Sequence, residues 1–252
     1  MTIDNCATIV ERGDPDRFLA VMASPVQTRS RLLPLYAFNL EVAKAPWVAK
    51  EPMIAEMRLQ WWRDVVAEPK SRAHEVAAPL HDLIVSAQLP VEVLDRLVEA
   101  RRWDIYKDPF ADQAAFDAYL EDTGAGLMWL AARALGAADT DETAVRSFGW
   151  ATALANFLCA VPALEERGRI PLVDGRAAGI QHLASRGLIR LNEARRAGVS
   201  KSSRPALLAG WQTEGLLRLA AQDPAAVAED RLKLSEFAKR GKLLWQSLTG
   251  QF

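Results

Sequence analysis

Cysteine is scarce in this sequence. Among its 252 residues only Cys6 and Cys159 carry a thiol, so at most one disulfide bond can form. Residues 1–16 include four acidic side chains and lack the basic segment and the apolar run of a secretory signal. We therefore predict that the protein works in a reducing, cytoplasmic environment.

An excess of either charge is also lacking, since 31 Lys and Arg residues face 32 Asp and Glu residues for a net charge of −1. Hydrophobic residues make up 50% and charged residues 25%, as in an ordinary globular protein. This balance excludes a disordered chain, a collagen-like chain and a strongly basic nucleic-acid-binding protein. We expect no nucleic acid among the partners.

Strict alternation of apolar and polar residues, the pattern of half-buried strands, is missing as well. Apolar residues recur instead with helical spacing along nearly the whole chain. The pattern predicts one all-α domain of about ten helices, given a mean helix length of about 11–12 residues. We expect this single domain to cover residues 1–252, with residues 1–13 as an N-terminal tail.

Proline and glycine positions indicate where the helices end. Pro46 is expected to end a helix that begins near Arg31, and Pro69 is expected to end the next one. Further helices are predicted at 112–135, 180–183, 188–197, 206–221 and 227–248.

Residues 147–164 form an 18-residue stretch without a charged side chain, close to the length of a membrane span. The stretch contains Gly149, Thr152, Asn156 and Pro162 and is rich in alanine. Its length and polarity favour a helix buried in a protein core over a helix that crosses a membrane.

Common catalytic motifs are missing from the sequence. It has no Gly-x-Ser-x-Gly, no P-loop and no Cys-x-x-Cys pattern. Gly124-x-Gly126 lacks a third glycine and follows no predicted strand. The three histidines, His74, His81 and His182, lack partners for a metal site and are expected on the solvated surface. We predict neither a metal ion nor another cofactor.

Five segments combine small residues, wide aromatic rings and scattered charges. By themselves they fit a well-packed helical core. Together and in this order they resemble the squalene/phytoene synthase family. Residues 36–38 (Tyr-Ala-Phe) resemble the entry to its first motif, and 58–63 (Arg-Leu-Gln-Trp-Trp-Arg) its bacterial Arg/Lys-Leu-x-Trp-Trp-Arg segment. Residues 119–126 resemble its central helix, and residues 153–158 and 168–169 the flanks of its second motif.

The resemblance extends from Asp14 to about Trp245. It implies a single-domain, isoprenoid-synthase-type helical bundle around a central cavity. In active members of the family, two aspartates four residues apart lie on one face of each of two facing helices. By resemblance, these carboxylates hold Mg²⁺, which grips the diphosphate of the substrate and stabilises the leaving group.

The sequence departs from the family at these metal-binding positions. The first pair falls at Ala43 and Trp47, and the second pair falls at Ala160 and Leu164. Cys159 stands where the family has an arginine. Since no carboxylate occupies any of the four positions, the degenerate motifs predict a protein without metal-dependent prenyl coupling.

Neighbouring acids do not restore the pairs. Glu41 is turned about 200° around the helix from Ala43, and Glu165 about 100° from Leu164. Recruitment of a metal by Glu165 and Glu166 after a rearrangement of their loop stays open.

The closest branch, by resemblance, includes the mitochondrial complex I assembly factor related to phytoene synthases. That branch shares Phe38-Asn39-x-Glu41-x-Ala43 and Ala160-x-Pro162 with this sequence. The resemblance implies a non-catalytic protein that helps to build a membrane-embedded respiratory complex. Its partner would be a client protein such as a subunit of that complex, and its place would be the cytoplasmic side of the inner membrane.

Two alternatives remain open. One is a prenyl diphosphate transferase of isoprenoid biosynthesis with a rebuilt metal site, which would require Mg²⁺. The other is a carrier of a prenyl lipid or quinone, because a cavity that has lost four acids is more apolar and suits a prenyl tail without its diphosphate.

Nine side chains are candidates for the pocket: Tyr36, Phe38, Asn39, Glu41, Arg58, Trp62, Tyr119, Asn156 and Arg169. Arg58 and Trp62, four residues apart, are expected to form a cation–π pair. Glu41 is expected to form an ion pair with Arg58 or Arg63.

The roles of two candidates stay open. Asn156 is either a remnant of the pocket or a buried amide that packs between helices. Arg169 either holds an anion or caps a loop.

The last predicted helix combines apolar and basic residues. Its apolar residues are Leu232, Leu234, Phe237, Leu243, Leu244, Trp245, Leu248 and Phe252, and its basic ones are Arg231, Lys233, Lys239, Arg240 and Lys242. We expect the apolar stripe to face the core, as such stripes usually do. Docking on anionic lipid or on a partner protein is the alternative, so peripheral membrane contact stays open.

Overall fold

The computed structural model describes residues 3–49, 51–68, 70 and 72–250. Within these ranges the chain forms fourteen α-helical segments and no strand. They are α1 (Ile3–Gly13), α2 (Pro15–Ala23), α3 (Val26–Val48), α4 (Pro52–Ala67), α5 (Ala77–Ala87), α6 (Val91–Ala100), α7 (Gln113–Leu120), α8 (Gly126–Ala134), α9 (Glu142–Glu166), α10 (Ala177–Ala197), α11 (Arg204–Leu207), α12 (Thr213–Gln222), α13 (Ala225–Ala228) and α14 (Glu236–Thr249). The predicted all-α class is confirmed.

Helix α9 is the centre of the bundle. It packs against α8, α10 and α12, and it buries the large side chains of Phe148, Trp150, Leu154 and Leu158. Within the described ranges, Asp139–Glu166 is the one segment long and apolar enough to cross a membrane, but 61% of its apolar window is buried inside the protein. The uncharged stretch is therefore the core helix that its polarity predicted.

The helices around α9 approach it closely at glycines. A Cβ atom built on Gly124 would lie 2.2 Å from the Cβ atom of Ala153, and one on Gly149 would lie 2.8 Å from the Cα atom of Ala125. Gly124 belongs to a π-helical turn (Glu121–Ala125) that joins α7 to α8. The widened turn and the two glycines let the backbones of this segment and α9 touch.

Several predicted boundaries are wrong. Residues 3–13, expected to be part of a tail, form α1, which packs on α3 and buries Cys6 and Val10. Helix α3 continues past Pro46 to Val48, because a proline in the last turn removes only one hydrogen bond near the helix end. Pro69, the predicted end of the next helix, lies outside the described residues.

The two short helices predicted at 180–183 and 188–197 are one continuous helix, α10. Gly187 does not break it, because this glycine lies where α10 meets α9 and α12. A Cβ atom there would lie 2.8 Å from Leu217 Cδ1 and 3.0 Å from Leu154 Cδ2. The glycine is needed for close packing rather than for a turn.

The two helices predicted nearest the C-terminus are each divided. Residues 206–221 split into the end of α11, a 3₁₀ turn (Leu208–Gly210) and α12. Residues 227–248 split into the end of α13, a connecting segment and most of α14.

The expectation that the apolar stripe of α14 faces the core is wrong. Leu232 is buried, but four large apolar side chains of α14 are 60–90% exposed: Phe237, Leu244, Trp245 and Leu248. Phe252 lies outside the described residues.

Substituting Gly149 tests the close backbone contact between α9 and the facing segment at Ala125 (the close crossing). The change Gly149→Ala should destabilise the fold by about 1–3 kcal/mol, because backbone of the facing segment must move to admit a methyl group. In thermal unfolding this corresponds to a fall in Tm of roughly 2–4 °C for each 1 kcal/mol.

Gly241 of α14 is the matched control, since a Cβ atom there meets nothing within 4 Å. The change Gly241→Ala should stabilise the helix by about 0.5–1 kcal/mol. Equal Tm values for the two variants would contradict the close crossing.

Candidate functional site

A cavity of about 650 Å³ lies between the helices that surround α9. Its walls come from α3, from α7 and α8 with the π-helical turn between them, from α9, and from residues 209–216. Residues 232–234 add a further wall. The predicted central cavity is therefore present.

The structure brings seven of the sequence-predicted residues to the cavity lining, and they are Tyr36, Asn39, Trp47, Tyr119, Asn156, Ala160 and Leu164. Asn156 is exposed to the cavity rather than packed between helices, which supports the pocket alternative.

Among the described residues, six of the other candidates are left out of this lining, and they are Phe38, Glu41, Ala43, Arg58, Trp62 and Arg169. Phe38 and Glu41 each follow a lining residue of α3 by two positions, which turns them about 200° around the helix. Phe38 packs instead against Trp62, with ring centroids 5.4 Å apart.

The turn after α9 returns the chain to the cavity wall. Gly168 adopts a φ of 74°, in the left-handed region that favours glycine, and the Arg169 N–H donates a hydrogen bond to the Leu164 carbonyl at 3.1 Å. This turn carries the Arg169 guanidinium between two indole rings. Its Cζ atom lies 4.9 Å from the ring centroid of Trp47 and 5.0 Å from that of Trp103.

Arg169 also holds the segment that follows α6. Its guanidinium donates hydrogen bonds to the main-chain carbonyls of Trp103, at 3.0 Å, and of Asp104 and Tyr106. Burial lowers the pKa of this arginine from its ordinary value. Of the two roles left open for Arg169, the structure supports the one that caps a loop.

A second cation adds to the charge on this wall. The Cζ atom of Arg167 lies 4.4 Å from the ring centroid of Trp47, so two guanidinium groups contact one indole. Trp47 itself lines the cavity. The wall therefore presents an aromatic ring that is backed by positive charge.

A buried polar cluster lies at another part of the cavity. The Tyr119 hydroxyl donates to Asp104 Oδ2 at 3.0 Å and accepts a hydrogen bond from Arg101 at 2.8 Å. Arg101 also pairs with Asp104 at 3.2 Å. Burial raises the pKa of Tyr119, so its hydroxyl stays protonated at neutral pH. The cluster fixes the tyrosine in place, although the Nε atom of Arg101 has no hydrogen-bond partner among the described residues.

Sequence reasoning missed Arg101 and Asp104. They lie in a 3₁₀ turn (Arg101–Asp104) at the end of α6. The turn resembles any polar helix end in the sequence. Only the packing of α7 against the turn reveals that these charges face Tyr119, so no local signal identifies them.

The acids near α2 are also engaged. Asp14 caps α2 and pairs with Arg17 at 2.9 Å, while Asp16 accepts a hydrogen bond from Gln212 at 2.7 Å and lies 3.6 Å from Lys239. In the part of the chain that the structure describes, no group of three His, Cys, Asp or Glu side chains is placed to hold a metal ion.

Among the described residues, Asn39 and Arg101 are lining residues with a buried polar atom that lacks a hydrogen-bond partner, at Oδ1 and Nε respectively. The Asn39 side chain is only 7% exposed, and its Oδ1 atom is an acceptor. A buried acceptor without a partner is costly, so this atom favours a donor supplied by water or by a ligand in the cavity.

Cys159 is a second lining residue of interest. Its Sγ atom lies 3.4 Å from the Leu232 carbonyl, and burial raises the pKa of its thiol to about 11. The thiol therefore stays protonated at neutral pH, which makes it a poor nucleophile.

Two predicted pairings are wrong. Glu41 lies 3.5 Å from Lys44, while Arg63 pairs with Asp95 at 2.7 Å and with Glu99 at 2.6 Å. The reason is that Arg63 faces α6 rather than α3.

The predicted cation–π pair does not form between Arg58 and Trp62, both of which the structure describes. The Arg58 side chain is exposed to solvent, whereas the Trp62 ring is buried against Phe38. Glu165 and Glu166 are exposed as well, and neither belongs to the described lining of the cavity.

An all-helical bundle around a deep central cavity is the architecture of isoprenoid synthases. The bundle superposes on a dehydrosqualene synthase in complex with a ligand with a TM-score of 0.81, at 16% identity, over 98% of this chain and 95% of that one. It superposes on squalene synthase HpnC from Alicyclobacillus acidocaldarius with a TM-score of 0.73, at 19% identity, over 88% of this chain and 94% of that one. At such low identities the likeness establishes the fold alone.

The sequence identifies the family within this class. Residues 10–174 match the family model for squalene/phytoene synthase. The chain belongs to the squalene/phytoene synthase family, as the ordered motifs predicted.

Two relatives carry the name of an assembly factor. "NADH dehydrogenase (ubiquinone) complex I, assembly factor 6 homolog" of Drosophila melanogaster is 28% identical over 199 residues, which are 74% of this chain and 58% of that protein. Assembly factor 6 of Homo sapiens is 26% identical over 161 residues, which are 62% of this chain and 48% of that protein. The match thus spans about half the length of these relatives.

Arg169 offers a test of the cavity wall. The change Arg169→Gln should lower the free energy of unfolding by roughly 2–4 kcal/mol, because three main-chain carbonyls lose a charged donor. Arg167→Gln is the matched control. It removes an exposed cation from the same indole ring, and we expect a loss of about 0.5–1 kcal/mol. Denaturant unfolding measures both values, and equal losses would contradict the anchoring role of Arg169.

Proposed function

We propose that this protein is a non-catalytic member of its family that assists the assembly of a respiratory complex of the complex I type. The observation that carries the proposal is the match to proteins named as complex I assembly factor 6, over 74% of this chain in the Drosophila melanogaster protein. The proposed partner is a client subunit of that complex. The proposed place of action is the cytoplasmic face of the inner membrane, where the protein would be peripheral.

The residues at the four degenerate motif positions do not fit the Mg²⁺ ions of the family's enzymes. Trp47, Ala160 and Leu164 line the cavity and offer no oxygen ligand, although Mg²⁺ requires oxygen donors. Arg167 and Arg169 lie against Trp47 and would repel a divalent cation. We therefore derive no metal-dependent step for this protein.

The cavity nevertheless has the size of a ligand site, since its 650 Å³ fall within the range of about 300–1,000 Å³ that is usual for such sites. Its lining joins apolar side chains to the unpartnered Oδ1 atom of Asn39. The charged side chains of the lining are engaged in ion pairs, such as Arg17 with Asp14 and Arg101 with Asp104. These features favour a prenyl lipid with a neutral polar head, such as an alcohol or a hydroquinone, which would donate a hydrogen bond to Asn39. In this view, the lipid is a bound component of the assembly factor rather than a substrate.

Deleting the gene in the source organism tests the proposal. We expect the amount of assembled complex I on native gels to fall several-fold, and the wild-type gene to restore it. The pool of squalene- and phytoene-type products should be unchanged. Loss of such a product with normal complex I would overturn the proposal in favour of the prenyl transferase alternative.

Two variants of α9 that introduce tryptophan, expressed in the same deletion strain, test whether the cavity is needed for complex I assembly. Ala160 lines the cavity, whereas Ala163 is exposed and lies outside the described lining. If a lipid in the cavity is needed, Ala160→Trp should fail to restore complex I while Ala163→Trp should restore it. Full rescue by both variants would contradict a role for the cavity.

A further inference from the structure

Helix α14 turns its apolar face away from the protein. Its outward face is formed by Phe237, Ala238, Gly241, Leu244, Trp245 and Leu248, which carry no charge. The exposed fractions are 90% for Phe237, 60% for Trp245 and 77% for Leu248. These positions recur with helical spacing, so they form one continuous stripe.

The inward face of the same helix is mostly polar. Gln246 is buried, Lys242 lies 3.4 Å from Glu214, and Lys239 lies 3.6 Å from Asp16. Leu243 adds an apolar contact, against a small cluster of Ala20, Leu208 and Trp211. This is the reverse of a helix that packs on a core, where the apolar stripe faces inward.

A cationic cleft of about 510 Å³ lies beside the stripe. Among the described residues that line it are three cations, Arg195, Arg204 and Lys242, and one carboxylate, Glu214. Glu214 lies 2.8 Å from Arg195 and 3.4 Å from Lys242, so the lining keeps a net positive charge after this pairing. Trp245 of the outward stripe also lines the cleft, so the apolar stripe and the positive charge adjoin. Arg240 is exposed on the other flank of the stripe.

An exposed apolar stripe next to a positively charged cleft fits the surface of an anionic membrane. Tryptophan, phenylalanine and leucine on one helix face, flanked by lysine and arginine, are the features of a helix that lies in a membrane interface. The apolar side chains enter the acyl boundary, and the cations meet the phosphates of anionic headgroups. A stripe that projects from the surface, with exposed fractions of up to 90%, suits insertion into a lipid surface.

We infer that α14 and the adjacent cleft form a docking surface for a bilayer that contains anionic phospholipid. The stripe inserts between lipids, and the cleft receives a headgroup phosphate at Arg204 and at Lys242, whose ammonium keeps further donors besides the one directed at Glu214. This surface gives a physical basis for the proposed peripheral location, but it acts on the lipid alone and does not depend on the identity of any client.

Co-sedimentation of the purified full-length protein with vesicles tests the inference. We expect binding to vesicles of phosphatidylcholine with phosphatidylglycerol at low salt, weaker binding to phosphatidylcholine alone, and release as salt is added. The double variant F237S/L248S should lose about tenfold or more in affinity, because two apolar side chains that enter the bilayer are removed. The double variant R204Q/K242Q should lose the preference for anionic vesicles, by about fivefold for each charge.

Matched controls change the same chemistry elsewhere. Met53→Ser removes an apolar side chain that is 73% exposed on α4, and Arg58→Gln removes an exposed cation of the same helix. Both variants should bind vesicles like the wild type. Circular dichroism and thermal unfolding of every variant distinguish loss of binding from loss of the fold.

Two outcomes would overturn the inference. One is equal vesicle binding by F237S/L248S and the wild type, or no binding by the wild type at low salt. The other is a wild-type dimer in analytical ultracentrifugation that F237S/L248S dissociates, which would assign the stripe to a second copy of this chain. Complex I is absent from these vesicle experiments. A negative result would therefore overturn the membrane-docking inference without bearing on the proposed role in complex I assembly, which the gene deletion tests.

Discussion

The cavity wall depends on the contacts that the guanidinium group of Arg169 makes. It lies between Trp47 at the end of α3 and Trp103 after α6, and it reaches this place because Gly168 turns the chain after α9. Three parts of the bundle are thereby joined by one charged group. Since the hydrogen bonds of that group are made to main-chain carbonyls, its charge stabilises the fold.

The same residues bear on the proposal that this protein works without metal chemistry. Trp47, which two guanidinium groups contact, lines the cavity at a position where the resemblance to the enzymes places a carboxylate. The cavity itself persists, because its walls are set by the close contacts of Gly124 and Gly149 with their facing segments. The cavity contains the unpartnered amide oxygen of Asn39. On the surface of the protein, the apolar stripe of α14 faces solvent. Both features are consistent with the proposed role next to a lipid surface.

Helical periodicity was sufficient to predict the class, and ordered motifs were sufficient to predict the family. The uncharged stretch of α9 was correctly predicted to be a core helix, because Thr152 and Asn156 are poor residues for a lipid-facing span. The helix boundaries, the exposure of individual side chains and their hydrogen-bond partners depend on three-dimensional packing and could not be predicted from the sequence. Gly187 looks like a helix break in the sequence and is a packing contact in the structure, and Leu244 looks like a core residue and is exposed. The hydrogen bonds of Arg169 join segments 63 to 66 residues apart in sequence. The hydrogen bonds of Tyr119 to Asp104 and Arg101 span 15 and 18 residues and connect two different elements, so no pattern within one helix reveals them.

The central proposal is that this cavity binds a prenyl lipid without the help of a metal ion. Isothermal titration of the purified protein with farnesyl diphosphate and with farnesol, each with and without Mg²⁺, tests it most directly. The account predicts that Mg²⁺ leaves the affinity for the diphosphate unchanged and that farnesol binds at least as tightly. An affinity for the diphosphate that Mg²⁺ raises by about tenfold or more, equivalent to about 1.4 kcal/mol, would contradict it.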